Sequence, residues 1–216
     1  MTAKDGTVIA GRTMEWAFDM KWELVALPKG TQIDISAPST LNLPETKLSS
    51  DYPFVALAPA ILRGPPAFLE GQNEAGLGMS GNFLPGVTEY QTVTAQDKHY
   101  VSILNFGGLA LGMFGSVKEL RTKLPKYKVW FDPNEIKGLP TPPWLHFVFT
   151  DSSGESIVIE FIQGRVVIHD NTANVLTNSP TYDWRLLNVR SYLSLSDEGR
   201  SSVMLHSSRF ESSIQI

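Results

Sequence analysis

Residues 175–184 read Val-Leu-Thr-Asn-Ser-Pro-Thr-Tyr-Asp-Trp, and residues 11–16 read Gly-Arg-Thr-Met-Glu-Trp. Each is a short polar cluster at the end of an apolar, strand-like run. Asn178 offers a neutral amide donor of the kind that stabilises a developing oxyanion. Arg12 and Glu15 sit where an opening hairpin would deliver them. Taken singly, each has a plainer reading. Arg12 and Glu15 could simply pair at the surface for little gain, and Asn-Ser-Pro forms turns whatever its function. A shared site requires that the runs at 7–10 and 175–178 be strands whose ends approach one another.

Working outward, Lys4-Asp5-Gly6-Thr7 signals a hairpin turn, and with Asp5 and Gly6 at its centre Thr2 faces Ile9. Residues 23–27 form a short strand, 36–52 a Ser-, Thr- and Pro-rich surface loop, and 52–57 regain β character. Residues 70–77 read as a turn entering a short strand. The best helix runs from 99 to 124, with Pro125 just past its end. Three strands follow at 144–150, 156–161 and 165–169, separated by Asp151-Ser152-Ser153-Gly154 and Gln163-Gly164. Strands before and after a helix, joined by hairpins, describe an α+β protein with mixed or mainly antiparallel sheets. From Ser194 the chain turns serine-rich, with no periodic element strong enough to close a fold.

At 216 residues with 42% hydrophobic and 19% charged content, the chain supports one sizeable core. A net charge of −4 gives no nucleic-acid footprint. The N-terminal residues have no apolar signal segment, and the apolar run at 101–113 is broken by Asn105, Gly107, Gly108 and Gly112. Gly76-Leu77-Gly78-Met79-Ser80-Gly81 matches a dinucleotide fingerprint in letters. However, a turn precedes it and Asn82-Phe83-Leu84-Pro85-Gly86 follows, so no helix N-terminus would meet a pyrophosphate. A glycine-rich strand allowing close approach fits better. His99, His146, His169 and His206 lack ligand spacing and read as structural, and no Gly-x-Ser-x-Gly elbow is present.

In wording and order the two opening stretches resemble the choloylglycine hydrolase family of N-terminal nucleophile hydrolases, which includes conjugated bile acid hydrolases and penicillin V acylases. The likeness covers residues 1–194 as a partial domain, with 195–216 a divergent serine-rich tail. It implies the four-layer αββα fold, incomplete here, and hydrolysis of a linear amide C–N bond. Penicillin V, glycine- or taurine-conjugated bile acids and N-acyl homoserine lactones are the candidate small-molecule substrates. No cofactor, metal, nucleic acid or membrane partner is implied, and a homotetramer is. By resemblance, Arg12 and Glu15 flank the nucleophile, the arginine favouring a thiolate, although aspartate is the commoner acid at the second position. Asn178 becomes an oxyanion donor, and a second such residue follows the glycine-rich strand at Asn82 or Phe83. Trp16 and Phe83, with Phe18 and Trp22 nearby, are candidates to line an acyl pocket. Arg209, in Ser208-Arg209-Phe210, echoes a later family arginine, and Asn73 matches a structural turn.

The family's nucleophile is an N-terminal cysteine, yet the chain contains none. The hairpin ladder places that residue about five positions upstream of Met1. Its α-amine, titrating at about 7.7–8.0, would act as base. Loss of Met1 would make Thr2 a rival nucleophile, which the register holds near the turn and away from Arg12. Two other readings stand beside the amidase. One is an inactive fragment or pseudoenzyme that binds acyl amides, and the other is an unrelated β-rich ligand-binding module. The chain as it stands reads as soluble and cytoplasmic, or periplasmic or secreted if an upstream signal exists.

Overall fold

Side chains alternate across a pleated strand, so one register decides which face of a sheet is dry. The computed structural model describes residues 2–61, 67–134 and 142–192, and the backbone of two later strands. The elements are β1 (Trp22–Leu27), β2 (Gln32–Asp34), β3 (Lys47–Ser49), β4 (Phe54–Pro59), β5 (Glu70–Asn73), β6 (Gly78–Phe83) and β7 (Tyr100–Ser102). Helices α1 (Ile103–Met113) and α2 (Val117–Lys123) follow, then β8 (Lys128–Trp130), β9 (Leu145–Thr150), β10 (Ser156–Ile162) and β11 (Arg165–Asp170). Helix α3 (Tyr182–Arg190) precedes β12 (Ser202–Leu205) and β13 (Ser208–Glu211).

Seven antiparallel strands form the main sheet in the order β1-β4-β5-β6-β9-β10-β11. Pairing of Met79 with Phe149, Gly81 with Phe147 and Ile159 with Phe147 puts these residues on one face. That face packs against α1, where Phe106 sits 4.8 Å from the Phe147 ring and 5.6 Å from Phe161. Each such buried ring contributes about 1.5–3 kcal/mol. Gly107 and Gly112 permit the contact, since a Cβ would fall 2.5 Å from the Phe68 carbonyl oxygen and 2.4 Å from Ile33 Cδ1. The glycines that interrupt the apolar run are therefore the points where α1 meets its neighbours. No helix among the described residues is long and apolar enough to cross a membrane.

The opposite face carries Glu70, Ser80, Asn82, His146, Thr150, Glu160 and His169, together with exposed Leu24 and Val55.

Several expectations need correction. The predicted strand at 7–10 forms a single bridge, Thr2 to Val8, and the residues from Ile9 onward turn to line a cavity. The register is also one residue tighter than expected, with Thr2 facing Val8 rather than Ile9 and Ala3 N–H donating to the Thr7 carbonyl. Residues 70–77 are a strand and a turn, and β6 completes the hairpin. The helix predicted over 99–124 is β7 followed by two helices. Phe114 turns extended, and Ser116 caps α2 by accepting the Glu119 N–H at 3.2 Å. Residues 175–178 are not a strand, since their polar groups bond to side chains rather than a ladder. The 36–52 loop contains β3, and β12 pairs with β13 in the tail.

Candidate active site

At its N-terminal end β5 begins at Glu70, opposite Ser80, while β6 continues to Phe83. The main-chain groups of Gly81 and Phe83 that face the β5 side therefore need other partners. Gly81 N–H donates to the Leu69 carbonyl at 2.6 Å, and the Gly81 carbonyl accepts Arg12 Nη1 at 2.9 Å. Phe83 N–H donates to Asn178 Oδ1 at 2.8 Å, and Ser179 N–H donates to the Phe83 carbonyl at 3.0 Å. Arg12 and Asn178 are thus fixed to residues two apart on one strand edge, a span of about 7 Å. Both line one cavity of about 630 Å³ on the polar face of the sheet.

Arg12 is not paired with Glu15. Its Nη1 lies 3.3 Å from Glu70 Oε2, a pair with both side chains largely covered. Burial pushes the Glu70 carboxyl up, against the opposing pull of the Ser80 hydroxyl and Arg12. Glu15 lines the same cavity but is exposed. Asn82 donates to the Leu176 carbonyl at 3.4 Å and so braces the segment before Asn178. The Trp16 and Phe83 rings meet edge to face at 5.2 Å, with Phe18 6.3 Å from Trp16 and Trp144 5.9 Å from Phe83. Trp16, Phe18, Trp22 and Phe83 lie in the cavity wall.

Thr2 lies elsewhere. Its hydroxyl sits beside Gly154, in the turn after the Thr150 end of β9, whereas Asn82 pairs with His146 at the other end. Four residues of strand, about 13 Å, separate those ends. Arg209 falls on β13, where only the backbone is described. Asn73 is structural: its Nδ2 donates to the Leu111 and Phe114 carbonyls and its Oδ1 accepts Leu77 N–H, securing the end of α1.

The linear amide C–N hydrolases of the choloylglycine hydrolase family match residues 1–214. A bile salt hydrolase/transferase of Clostridium perfringens is 29% identical over 195 residues, 90% of this chain and 56% of the relative. A penicillin V acylase of Pectobacterium atrosepticum is 28% identical over 82% of this chain and 47% of its own length. The chain belongs to the choloylglycine hydrolase family. Among solved structures, a cysteine-to-alanine mutant of the C. perfringens conjugated bile acid hydrolase superposes with a TM-score of 0.77 at 26% identity, covering 100% of this chain and 63% of that one. Penicillin V acylase from Agrobacterium tumefaciens gives 0.71 at 25% identity. The fold is accordingly the αββα N-terminal nucleophile hydrolase fold. The chain spans about half the length of the curated relatives it matches.

Beneath the site of this family member lies a buried polar group that sequence reasoning treated as separate structural histidines. Glu160, His146 and Tyr182 are fully or almost fully enclosed. His146 Nδ1 is 3.1 Å from Glu160 Oε1, and Tyr182 N–H donates to the same oxygen at 2.9 Å. His169 Nε2 stands 3.2 Å from Glu160 Oε2 but off the hydrogen-bond direction. Burial alone would push the Glu160 carboxyl up. The hydrogen bonds from His146 and Tyr182 and the nearness of His169 outweigh it and hold the group at about 2. A depressed folded value stabilises the protein above the ordinary 4.5, and that stabilisation is lost as pH falls towards 2. Thermal melts from pH 6 to pH 3 should therefore show a steeper loss of Tm in the parent than in Glu160→Gln. Equal slopes would mean that Glu160 does not carry the acid sensitivity.

Glu70 was also missed as a cavity residue. Glu70 was hidden in a turn reading. His146 and Glu160 each interrupt an apolar run, and only the β9–β10 register brings them together on one face.

Proposed function

We propose that these residues form the substrate-binding and oxyanion-stabilising part of a linear-amide hydrolase acting on amides with an apolar acyl group. The supporting observation is the joint anchoring of Arg12 and Asn178 on Gly81 and Phe83 within one aromatic-walled cavity. With Oδ1 accepting Phe83 N–H, the Asn178 amide hydrogens are the side chain's remaining donors. Trp16, Phe18 and Phe83 suit a flat or bulky apolar acyl group. Penicillin V, conjugated bile acids and N-acyl homoserine lactones all satisfy that description.

The nucleophile in this reading is an N-terminal cysteine, which is not among the 216 residues. Its sulfur bonds to the amide carbon, and the carbonyl π electrons move to the oxygen facing Asn178. Collapse breaks the C–N bond, and the amine leaves with a proton from the cysteine's own α-ammonium. Water then cleaves the thioester, releasing the acid and the thiol. Arg12 favours the thiolate by its charge, moderated by Glu70. For the 216 residues by themselves, the lack of cysteine favours a second reading, binding of acyl amides without turnover.

Binding tests the shared part of both readings. Titration of the chain with phenoxyacetate, glycocholate and an N-acyl homoserine lactone, followed by tryptophan fluorescence and calorimetry, should give saturable binding of at least one. Phe83→Ala should weaken it about tenfold or more, the scale of one lost aromatic contact. Failure of all three ligands to bind would remove the assignment of the cavity.

A further inference from the structure

Asn178 sits in a short connection between Thr177 and α3, and both ends of that connection lead to one buried oxygen atom. At its far end, Tyr182 N–H donates directly to Glu160 Oε1 at 2.9 Å. At its near end, the Thr177 carbonyl is 2.9 Å from His146 Nε2, and the other nitrogen of that ring is 3.1 Å from the same Glu160 oxygen. Asn178 lies between these two ties and reaches Phe83 by its own side chain. We propose that His146 and Glu160 are positioning residues that hold the Asn178 amide at the cavity. The inference deepens the amidase reading and, for its catalytic part, rests on it.

Hydrogen-bond arithmetic makes the arrangement specific. The Thr177 carbonyl only accepts, so His146 Nε2 must carry a proton. The Nδ1–Oε1 contact needs a second proton between its two atoms. The pair therefore holds two protons, and removing either one breaks one of the ties. The other titratable groups facing Glu160 are the His169 imidazole on β11 and Arg185 on α3, which feels the carboxylate's charge. Arg185 Nε also donates to the Pro180 carbonyl at 2.9 Å, a third tie on the same connection. A buried ion-paired network is costly to enclose and adds little net stability compared with apolar packing. Its use here is geometric: it fixes a connection that no strand ladder holds.

The test needs no turnover for its first part. The Phe83 amide is bonded to Asn178 Oδ1, so its hydrogen exchange reports whether Asn178 is in place. In the chain as it stands, His146→Leu should speed exchange at Phe83 by about tenfold or more. Exchange at Ile159, inside the β10 ladder, should stay unchanged. His146→Gln, which can still donate near the Nε2 position, should restore most of the protection. Unchanged exchange at Phe83, or equal acceleration at Phe83 and Ile159, would overturn the proposal.

The second part uses a form bearing an N-terminal cysteine. There Glu160→Gln should lower kcat with KM nearly unchanged, and should cost nothing further once Asn178→Ala is present. Additive losses would overturn the proposal. An inactive parent would instead sink the amidase reading and leave the exchange result to decide the positioning claim.

Discussion

Replacing Asn178 with alanine, in a form of the protein bearing an N-terminal cysteine, lowers kcat by about 10²–10³-fold while KM changes little, the usual loss for one oxyanion donor. The structure sharpens this beyond a deletion. Asn178 Oδ1 already accepts Phe83 N–H, so the two halves of the amide have separate duties. Asn178→Asp keeps an acceptor for Phe83 but offers no donor to the cavity. It should match the alanine variant in kcat, or fall below it because a carboxylate repels an oxyanion, while keeping the parent's Tm. An aspartate variant as active as the parent would assign Asn178 to turn formation alone. A loss confined to KM would make it a binding residue.

The parts of the fold legible in the sequence are those where period and punctuation agree. The runs over Leu145–Thr150, Ser156–Ile162 and Arg165–Asp170 are rich in apolar and β-branched residues and are separated by tight turns at Asp151-Ser152-Ser153-Gly154 and Gln163-Gly164, so the hairpins followed directly. The single helix over 99–124 was a misreading of apolar content as continuity. Ser116-Val117-Lys118-Glu119 is a capping-box pattern, and Glu119 also reaches back to the Gly115 N–H at 2.8 Å. That signal marks a second helix start and was present in the letters. The ladder at 7–10 failed for a different reason. Residues 9–16 line the cavity, a placement made by tertiary contacts that no local pattern records.

At the site, Arg12, Asn178, Trp16 and Phe83 were legible because their neighbours in sequence carry a recognisable pattern. Glu70 was not, since its pairing with Arg12 spans 58 positions and depends on where β5 starts. The His146–Glu160 pair was hidden similarly. Each residue sits in an apolar strand and reads as an isolated polar intrusion until the β9–β10 register brings them together. The resemblance supplied the αββα fold, which composition and periodicity alone left at α+β.

The largest effect expected is the appearance of hydrolysis itself. Arg12, Glu15 and Asn178 can orient a substrate and stabilise charge, but none is a competent nucleophile here, and Thr2 lies by Gly154 at the other end of β9. The measurement is turnover of penicillin V and glycocholate by three forms: the 216-residue chain, the chain preceded by a short segment starting with a processed cysteine, and that form with its cysteine changed to alanine. The account predicts hydrolysis by the cysteine-led form alone, with the alanine control falling to background, a loss on the order of 10⁶-fold where a nucleophile is removed. Hydrolysis by the unextended chain would contradict the cysteine assignment, and its loss in Thr2→Ala would give the role to Thr2. Equal activity of the cysteine-led form and its alanine control would contradict the account as a whole.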